Sequence, residues 1–153
     1  MALTFESASF TQDSAIPALY TCEGSDISPQ LAWSRPPQGT KSFALIVEDP
    51  DAMYKPWTHW VVFNIPEGSA GFPQNFAHDE TFSDGTRQGV NDSGDTGYGG
   101  PCPPPGKPHR YYFRLYALDT ILDLRGRVTK DQLLRAIRGH VLEQAELMGT
   151  YQR

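Results

Sequence analysis

The chain predicts a mainly β protein with one amphipathic helix near its C-terminus, and three observations support this fold class. Thirteen prolines and fourteen glycines are scattered between short apolar runs, which indicates many turns and therefore many strands. Three of those runs are rich in aromatic and β-branched residues, as buried strands are. Near the C-terminus the apolar spacing changes to that of a helix. We expect residues 1–153 to form a single domain around one core.

The predicted elements follow from local composition. Residues 3–33 alternate short apolar pieces with turn residues, so we expect two or three short strands there. Residues 42–48 are apolar on both faces, as a central sandwich strand is, and residues 57–65 and 111–118 are similar strands. The last of them follows a Gly/Pro-rich segment. We expect this segment to be a loop, because proline and glycine disfavour helices and interior strands. Residues 67–97 form a long polar segment, and such segments in compact domains are more often functional than idle.

A capping box begins the predicted helix. Thr129 and Gln132 are spaced so that each side chain bonds the backbone N–H of the other. Apolar residues then recur at helical spacing, and Gly149 stands where a C-terminal cap is expected. The pattern therefore predicts a helix over residues 129–148, with Gly139 inside it at a cost of about 1 kcal/mol relative to alanine. Its apolar positions are Leu134, Ile137, Val141, Ala145 and Met148.

Composition and charge argue against several classes of protein. The formal net charge is -5 and no Lys/Arg cluster is visible, which disfavours nucleic-acid binding. The first residues lack the basic and apolar regions of a signal peptide, and no window approaches the roughly 18 apolar residues of a spanning helix. We therefore expect a cytoplasmic protein that is not an integral membrane protein. In a reducing compartment Cys22 and Cys102 would be free thiols.

Polar residues stand at one end of each strong strand. Because side chains alternate along a strand, Asp49 and Asp51 continue one apolar row, while His59 and His109 each begin another. If these strand ends lie at the same rim of the sheet, their polar groups converge on a pocket. The rows are Phe43, Leu45 and Val47, then Val61 and Phe63, then Tyr111, Phe113 and Leu115.

Five short motifs follow one another along the chain. They are Asp49-Pro50-Asp51-Ala52, His59-Trp60, Gly99-Gly100-Pro101, Pro104-Pro105-Gly106 and His109-Arg110-Tyr111. In this order they resemble the phosphatidylethanolamine-binding protein family, and most of all its prokaryotic Raf-kinase-inhibitor-like branch. The family usually has proline after the first motif, where this chain has Met53.

The resemblance implies a fold and a site. The fold would be an antiparallel β-sandwich with Greek-key connections, with a small pocket at one end. In the family that pocket receives phosphate, a phosphorylated headgroup or another small anion. Trp57 and Tyr98 would lie at its rim. Carried over by motif, the ligand-binding residues would be Asp49, Asp51, His59, Gly100, Pro101, His109 and Tyr111.

These residue types suit an anion if the carboxylates act through the histidines. We expect Asp49 and Asp51 to accept protons from His59 and His109, which orients the rings and favours the imidazolium form that donates to phosphate oxygen. Backbone N–H groups of the Gly99-Gly100 pair would supply more donors, as in an anion nest.

The leading hypothesis is a binding protein, not an enzyme, that captures a small anion without a metal or cofactor. By resemblance, it would modulate a kinase or a protease. The alternative is a phosphoester hydrolase that uses the Asp/His pocket for acid/base or metal-assisted chemistry, although no nucleophile motif or metal-ligand spacing is recognised. A third reading is a protein-interaction domain that uses the sandwich face or the helix. Homodimer formation, as in relatives, is a further expectation.

Overall fold

The computed structural model describes residues 2–153 and confirms the mainly β fold class. Within this range one α-helix, α1, spans Lys130–Ile137, and a short 3-10 helix spans Ala18–Tyr20. The strands are β1 (Thr4–Glu6), β2 (Ser14–Ala15), β3 (Leu31–Ser34), β4 (Ser42–Asp49), β5 (Trp57–Pro66), β6 (Gly71–Phe72), β7 (Arg87–Gln88), β8 (His109–Leu118) and β9 (Val141–Tyr151).

Two sheets form a sandwich. The smaller sheet has the order β1-β3-β6, and the larger has the order β2-β9-β8-β4-β5-β7. Every pair is antiparallel except β2 with β9, which is parallel and departs from the predicted antiparallel arrangement. The long connection after β5 brings the chain back to pair β8 with the other edge of β4, which is the crossover of a Greek-key arrangement.

The core lies between the sheets. Trp33 of the smaller sheet contacts Phe43 of the larger one, with ring centroids 5.8 Å apart. The three predicted strong strands are β4, β5 and β8, which form the centre of the larger sheet. A second apolar cluster lies on the opposite face of that sheet, where Leu133 and Ile137 of α1 pack against Val61 and Phe63. Because both faces of the larger sheet are buried, these strands are apolar at odd and even positions alike.

A β-bulge at His59 changes the predicted face of this residue. Val47 pairs with Trp60 and Glu48 pairs with Thr58, so His59 is an extra residue on β5. Its ring consequently contacts Tyr111, with centroids 5.3 Å apart. The prediction that His59 shares a face with Val61 and Phe63 was wrong, because strict alternation does not hold across a bulge.

The predicted C-terminal helix is too long. Its start is confirmed: Thr129 Oγ1 accepts from the N–H of Gln132, and the Gln132 side chain accepts from the N–H of Thr129. The helix ends at Ile137, and Gly139 lies in the following turn with φ of 83°. Residues 141–151 form β9 and pair along the whole of β8. The free edge of β8 therefore decides the structure of a segment whose own spacing also fits a helix.

Gly149 is a packing residue of β9 and not a helix cap. It pairs with Ser14 of β2 and with Tyr111 of β8. A Cβ atom there would lie 2.6 Å from Ile16 Cγ1 and 2.8 Å from Phe10 Cε2. The absence of a side chain thus lets the N-terminal segment approach β9 closely.

Cys22 and Cys102 form a disulfide, so the prediction of free thiols was wrong. The bond joins two loops that are 80 residues apart in sequence. Thiol proximity depends on tertiary structure, which cysteine counting does not reveal. No helix among residues 2–153 has both the length and the apolar character needed to cross a membrane. The cytoplasmic location stays a prediction.

Candidate functional site

A cavity of about 480 Å³ opens at one end of the sandwich, where three strands of the larger sheet meet. Asp49 ends β4, His59 lies in the bulge of β5, and His109 begins β8. Because β4 runs antiparallel to both neighbours, its last residue lies beside the first residues of β5 and β8. Six of the nine residues predicted for the site line this cavity, namely Asp49, Trp57, His59, Gly100, His109 and Tyr111.

Asp49 and His109 form a largely buried pair. His109 Nδ1 lies 2.6 Å from Asp49 Oδ2, and the side chains are 14% and 5% exposed. The second oxygen, Asp49 Oδ1, accepts from the backbone N–H of Asp51 at 2.7 Å. Since the carboxylate can only accept, Nδ1 carries the proton and Nε2 is the nitrogen left for another partner. This is the Asp-oriented imidazole that the sequence predicts.

Tyr111 forms part of the cavity wall next to this pair. Burial and the nearby Asp49 carboxylate raise the pKa of Tyr111 far above its usual value. Its hydroxyl therefore keeps its proton at every physiological pH. The protonated hydroxyl is a hydrogen-bond partner of the Asp49 carboxylate, so its single donor is used within the cavity wall.

His59 is oriented by a backbone carbonyl and not by a carboxylate. Its Nδ1 donates to Gly99 O at 2.6 Å, so its Nε2 is also left without a partner in this arrangement. Burial lowers the pKa of His59, and this effect is partly offset by the bond to Gly99 and by the carboxylates of Asp49, Asp26 and Asp92. The expectation that an aspartate orients this ring was wrong, because Nδ1 donates to the backbone carbonyl of Gly99 instead.

Asp51 does not line the cavity. Its carboxylate forms a bidentate pair with Arg110, with Oδ2 at 3.0 Å from Nε and Oδ1 at 2.8 Å from Nη2. Oδ2 also accepts from the backbone N–H of Arg110 at 2.9 Å. These hydrogen bonds lower the pKa of Asp51. The expectation that Asp51 accepts a proton from a site histidine was wrong, and its contacts instead fasten the loop after β4 to β8.

The Gly99-Gly100 pair has no free donors for an anion. The N–H of Gly99 donates to His59 O at 2.9 Å, and the N–H of Gly100 donates to Asp26 Oδ1 at 2.8 Å. The anion-nest expectation was therefore wrong for these residues. Gly100 is required for close approach, since a Cβ atom there would lie 2.2 Å from Tyr20 O.

The remaining predicted residues lie at the mouth of the cavity or behind its wall. Trp57 lies at the cavity mouth and is 38% exposed. Pro101 is buried behind the wall, and its carbonyl accepts from the N–H of Cys22 at 3.1 Å. Tyr98 is buried as well, with its hydroxyl donating to Tyr20 O at 2.7 Å, so it lies behind the wall and not at the rim.

The cavity mouth contains residues that the sequence reasoning did not assign to the site. Met53 and Tyr54 are 78% and 93% exposed, and their only signal was the departure from the family pattern at Met53. Among residues 2–153, no group of three or more His, Cys, Asp or Glu side chains is arranged to hold a metal ion. The additional lining residues are Ala52, Met53, Tyr54, Lys55, Ser93, Cys102, Pro103 and Pro104.

Comparisons with known proteins agree with this fold over almost the whole chain. A family model described as phosphatidylethanolamine-binding protein matches residues 6–152. A UPF0098 protein of Methanothermobacter thermautotrophicus is 51% identical over 151 residues, which cover 99% of both chains. Another, from Aquifex aeolicus, is 44% identical over 96% of this chain and 86% of its own length.

Two solved structures are similar in fold and sequence. A putative phosphatidylethanolamine-binding protein homolog of Chlamydia trachomatis superposes with a TM-score of 0.90 at 41% identity, covering 99% of this chain and 98% of its own. E. coli YbcL, described as a new member of the mammalian PEBP family, superposes with a TM-score of 0.91 at 33% identity, covering 100% and 99%. This chain therefore belongs to the phosphatidylethanolamine-binding protein family, in its prokaryotic branch.

Proposed function

We propose that this protein binds a small anion, either phosphate or a phosphorylated headgroup, in the cavity between His59 and His109, and that it takes up a proton when it does so. The observation that carries the proposal is the arrangement of the two imidazoles. Both rings line the cavity, and both use Nδ1 for an acceptor of the protein itself. The nitrogen that each ring has left for a ligand is Nε2.

A proton is needed because neutral rings in this arrangement offer only lone pairs. A neutral imidazole that donates from Nδ1 is an acceptor at Nε2, and an acceptor repels a phosphate oxygen. Asp49 adds a negative charge to the same cavity. A fully deprotonated anion therefore binds only when one of the two rings is protonated. Binding should therefore strengthen as the pH is lowered from 8 to 6.

His109 is the better candidate for the protonated ring. Asp49 lies within hydrogen-bond distance of its Nδ1 and compensates the positive charge of the imidazolium. His59 is opposed by burial, although Asp49, Asp26 and Asp92 favour its charged form. Lys55 adds positive charge at the mouth of the cavity.

Calorimetric titration with inorganic phosphate and with phosphorylethanolamine tests the proposal. We expect binding at pH 6 to be about tenfold tighter than at pH 8, since the binding form requires one additional proton. Repeating the titration in buffers of different ionisation enthalpy counts that proton directly. His109→Ala should reduce the affinity at pH 6 by at least about tenfold, because it removes a charge-assisted hydrogen bond.

His78→Ala is the matched control. His78 also has Nδ1 near a backbone carbonyl, at 3.2 Å from Thr96 O, but it is exposed and does not line the cavity. The affinity of this variant should equal that of the wild type. An equal response of wild type and His109→Ala, or an affinity that does not change with pH, would contradict the proposal.

We propose two more specific roles for the cavity. Modulation of a kinase or protease is supported by family membership, and competition of such a partner with phosphate for the cavity would test it. The alternative hydrolase is supported by the acid/base residues of the cavity. Turnover of an aryl phosphate by the wild type that is lost in His109→Ala would favour an enzyme over a binding protein.

A further inference from the structure

The Cys22–Cys102 disulfide lies directly beside the candidate site. Cys102 lines the cavity, between Gly100 and Pro103 in the same loop. Both cysteines are exposed, so solvent thiols can reach the bond. Its partner Cys22 belongs to a loop near the N-terminus, 80 residues away in sequence. The bond therefore ties one wall of the cavity to a separate part of the chain.

The wall loop fixes the orientation of a site histidine. The carbonyl of Gly99 accepts from His59 Nδ1, so this ring keeps its tautomer only while the loop keeps its place. Two further bonds join the loop to the N-terminal segment: Gly100 N–H to Asp26 Oδ1, and Cys22 N–H to Pro101 O. The Cys22–Cys102 disulfide adds a covalent link between the same two loops, and it holds them at the distance that these hydrogen bonds need.

Arg153 gives the two sulfurs different surroundings. Its Nη1 lies 3.7 Å from Cys102 Sγ and 3.3 Å from Pro103 O. A guanidinium beside a sulfur favours the thiolate, which is a better leaving group and, once free, the more reactive thiol. Exchange should therefore begin with attack on Cys22 Sγ and release of Cys102 as the thiolate.

We propose that the Cys22–Cys102 disulfide is a thiol-exchange site through which a dithiol reductant loosens the cavity wall and thereby weakens anion binding. One thiolate of the dithiol attacks Cys22, forms a mixed disulfide and releases Cys102. Its second thiol then attacks the mixed disulfide and releases Cys22. Two electrons pass to the cysteine pair, the two cysteines take up protons, and the dithiol becomes a disulfide. The effect on ligand affinity rests on the proposed function, whereas the effect on the wall does not.

The first experiment compares oxidised and reduced wild-type protein. Alkylation followed by mass measurement should find no free thiol before treatment with dithiothreitol and two afterwards. Titration with inorganic phosphate at pH 6 should give an affinity about fivefold weaker in the reduced form, because ordering a looser wall on binding costs conformational entropy. Equal affinities would overturn the proposal, as would alkylation of both cysteines before reduction.

The second experiment needs no ligand. An NMR pH titration of His59 should show that its pKa rises on reduction, because a looser wall admits water to a ring whose pKa is lowered by burial. The double variant Cys22→Ser/Cys102→Ser should behave like the reduced protein, and dithiothreitol should not change it further. His78, which is exposed, serves as the internal control.

The outcomes separate the two proposals. Failure of the oxidised protein to bind phosphate would contradict the proposed function, while the His59 titration would still decide whether the disulfide orders the wall. An unchanged His59 titration on reduction would overturn the inference even if phosphate binds. Loss of the folded circular dichroism spectrum on reduction would overturn it too, since the bond would then hold the entire fold and not this wall.

Discussion

Asp49 and Asp51 stand two residues apart in one motif, yet they lie in opposite environments. Asp49 is 4% exposed, lines the cavity and pairs with His109. Asp51 lies outside the cavity and forms a bidentate pair with the exposed Arg110. The two pairs are adjacent because His109 and Arg110 are consecutive residues at the start of β8. Successive side chains of a strand point to opposite faces, so one pair lies inside and the other outside.

The comparison shows that two aspartates of the same sequence motif can have different chemical roles. An aspartate beside a buried imidazole can hold the ring in one tautomer and stabilise its charged form. An aspartate beside an exposed guanidinium mainly fastens one loop to one strand, and such exposed pairs contribute little to stability. The contrast gives three predictions, ordered by the size of the expected effect.

Truncation of the inner aspartate should cost the most stability. Asp49→Ala leaves His109 Nδ1 and the N–H of Asp51 without their acceptor, which should lower the free energy of unfolding by about 2–3 kcal/mol. Urea unfolding at pH 7 measures this change. Asp51→Ala is the matched control, and its midpoint should move much less. Equal losses in both variants would remove the distinction between the inner and the outer pair.

The inner aspartate should also support anion binding. In Asp49→Asn a neutral amide replaces the carboxylate that accepts from His109 Nδ1, so no negative charge remains there to compensate an imidazolium, and phosphate affinity at pH 7 should fall by about tenfold. Calorimetric titration with inorganic phosphate measures this change. Asp51→Asn should bind as the wild type does. Equal affinities in all three proteins would contradict the role of Asp49.

A smaller effect extends the comparison to the histidines. Burial lowers the pKa of His59 in the folded protein, so the unfolded chain takes up the proton first as the pH falls through about 6.5. The unfolding free energy should therefore decrease between pH 7 and pH 5 on account of this residue. His59→Asn can keep a donor towards Gly99 and should remove that part of the decrease.

His78→Asn is the control for this measurement. Its ring is exposed and lies outside the cavity, so this replacement leaves the His59 contribution in place. The urea midpoints of the wild type and of both variants, measured at pH 5 and pH 7, give this pH dependence of stability. The same decrease in His59→Asn as in the wild type would show that another group is responsible for it.

Much of the site neighbourhood was predictable from sequence, whereas its contacts were not. Strand patterns and motifs indicated that Asp49 and the two histidines converge on one end of the sheet, and the structure has them lining one cavity. The partner of each ring was predicted for His109 and missed for His59. The difference lies in the bulge of β5, which is visible only when the register against β4 is known.

The sequence alone determined the features that neighbouring residues encode: the three central strands, the start of α1 at its capping box, and the motifs of the family. Tertiary structure decided the features that distant residues compete for. Residues 141–148 have a spacing compatible with a helix, but the edge of β8 offered a strand pairing along its whole length. The two cysteines met because loops 80 residues apart pack together. A local sequence pattern reflects the conformational preference of one segment. The partner with which that segment pairs depends on which strand edges and loops the rest of the fold exposes to it.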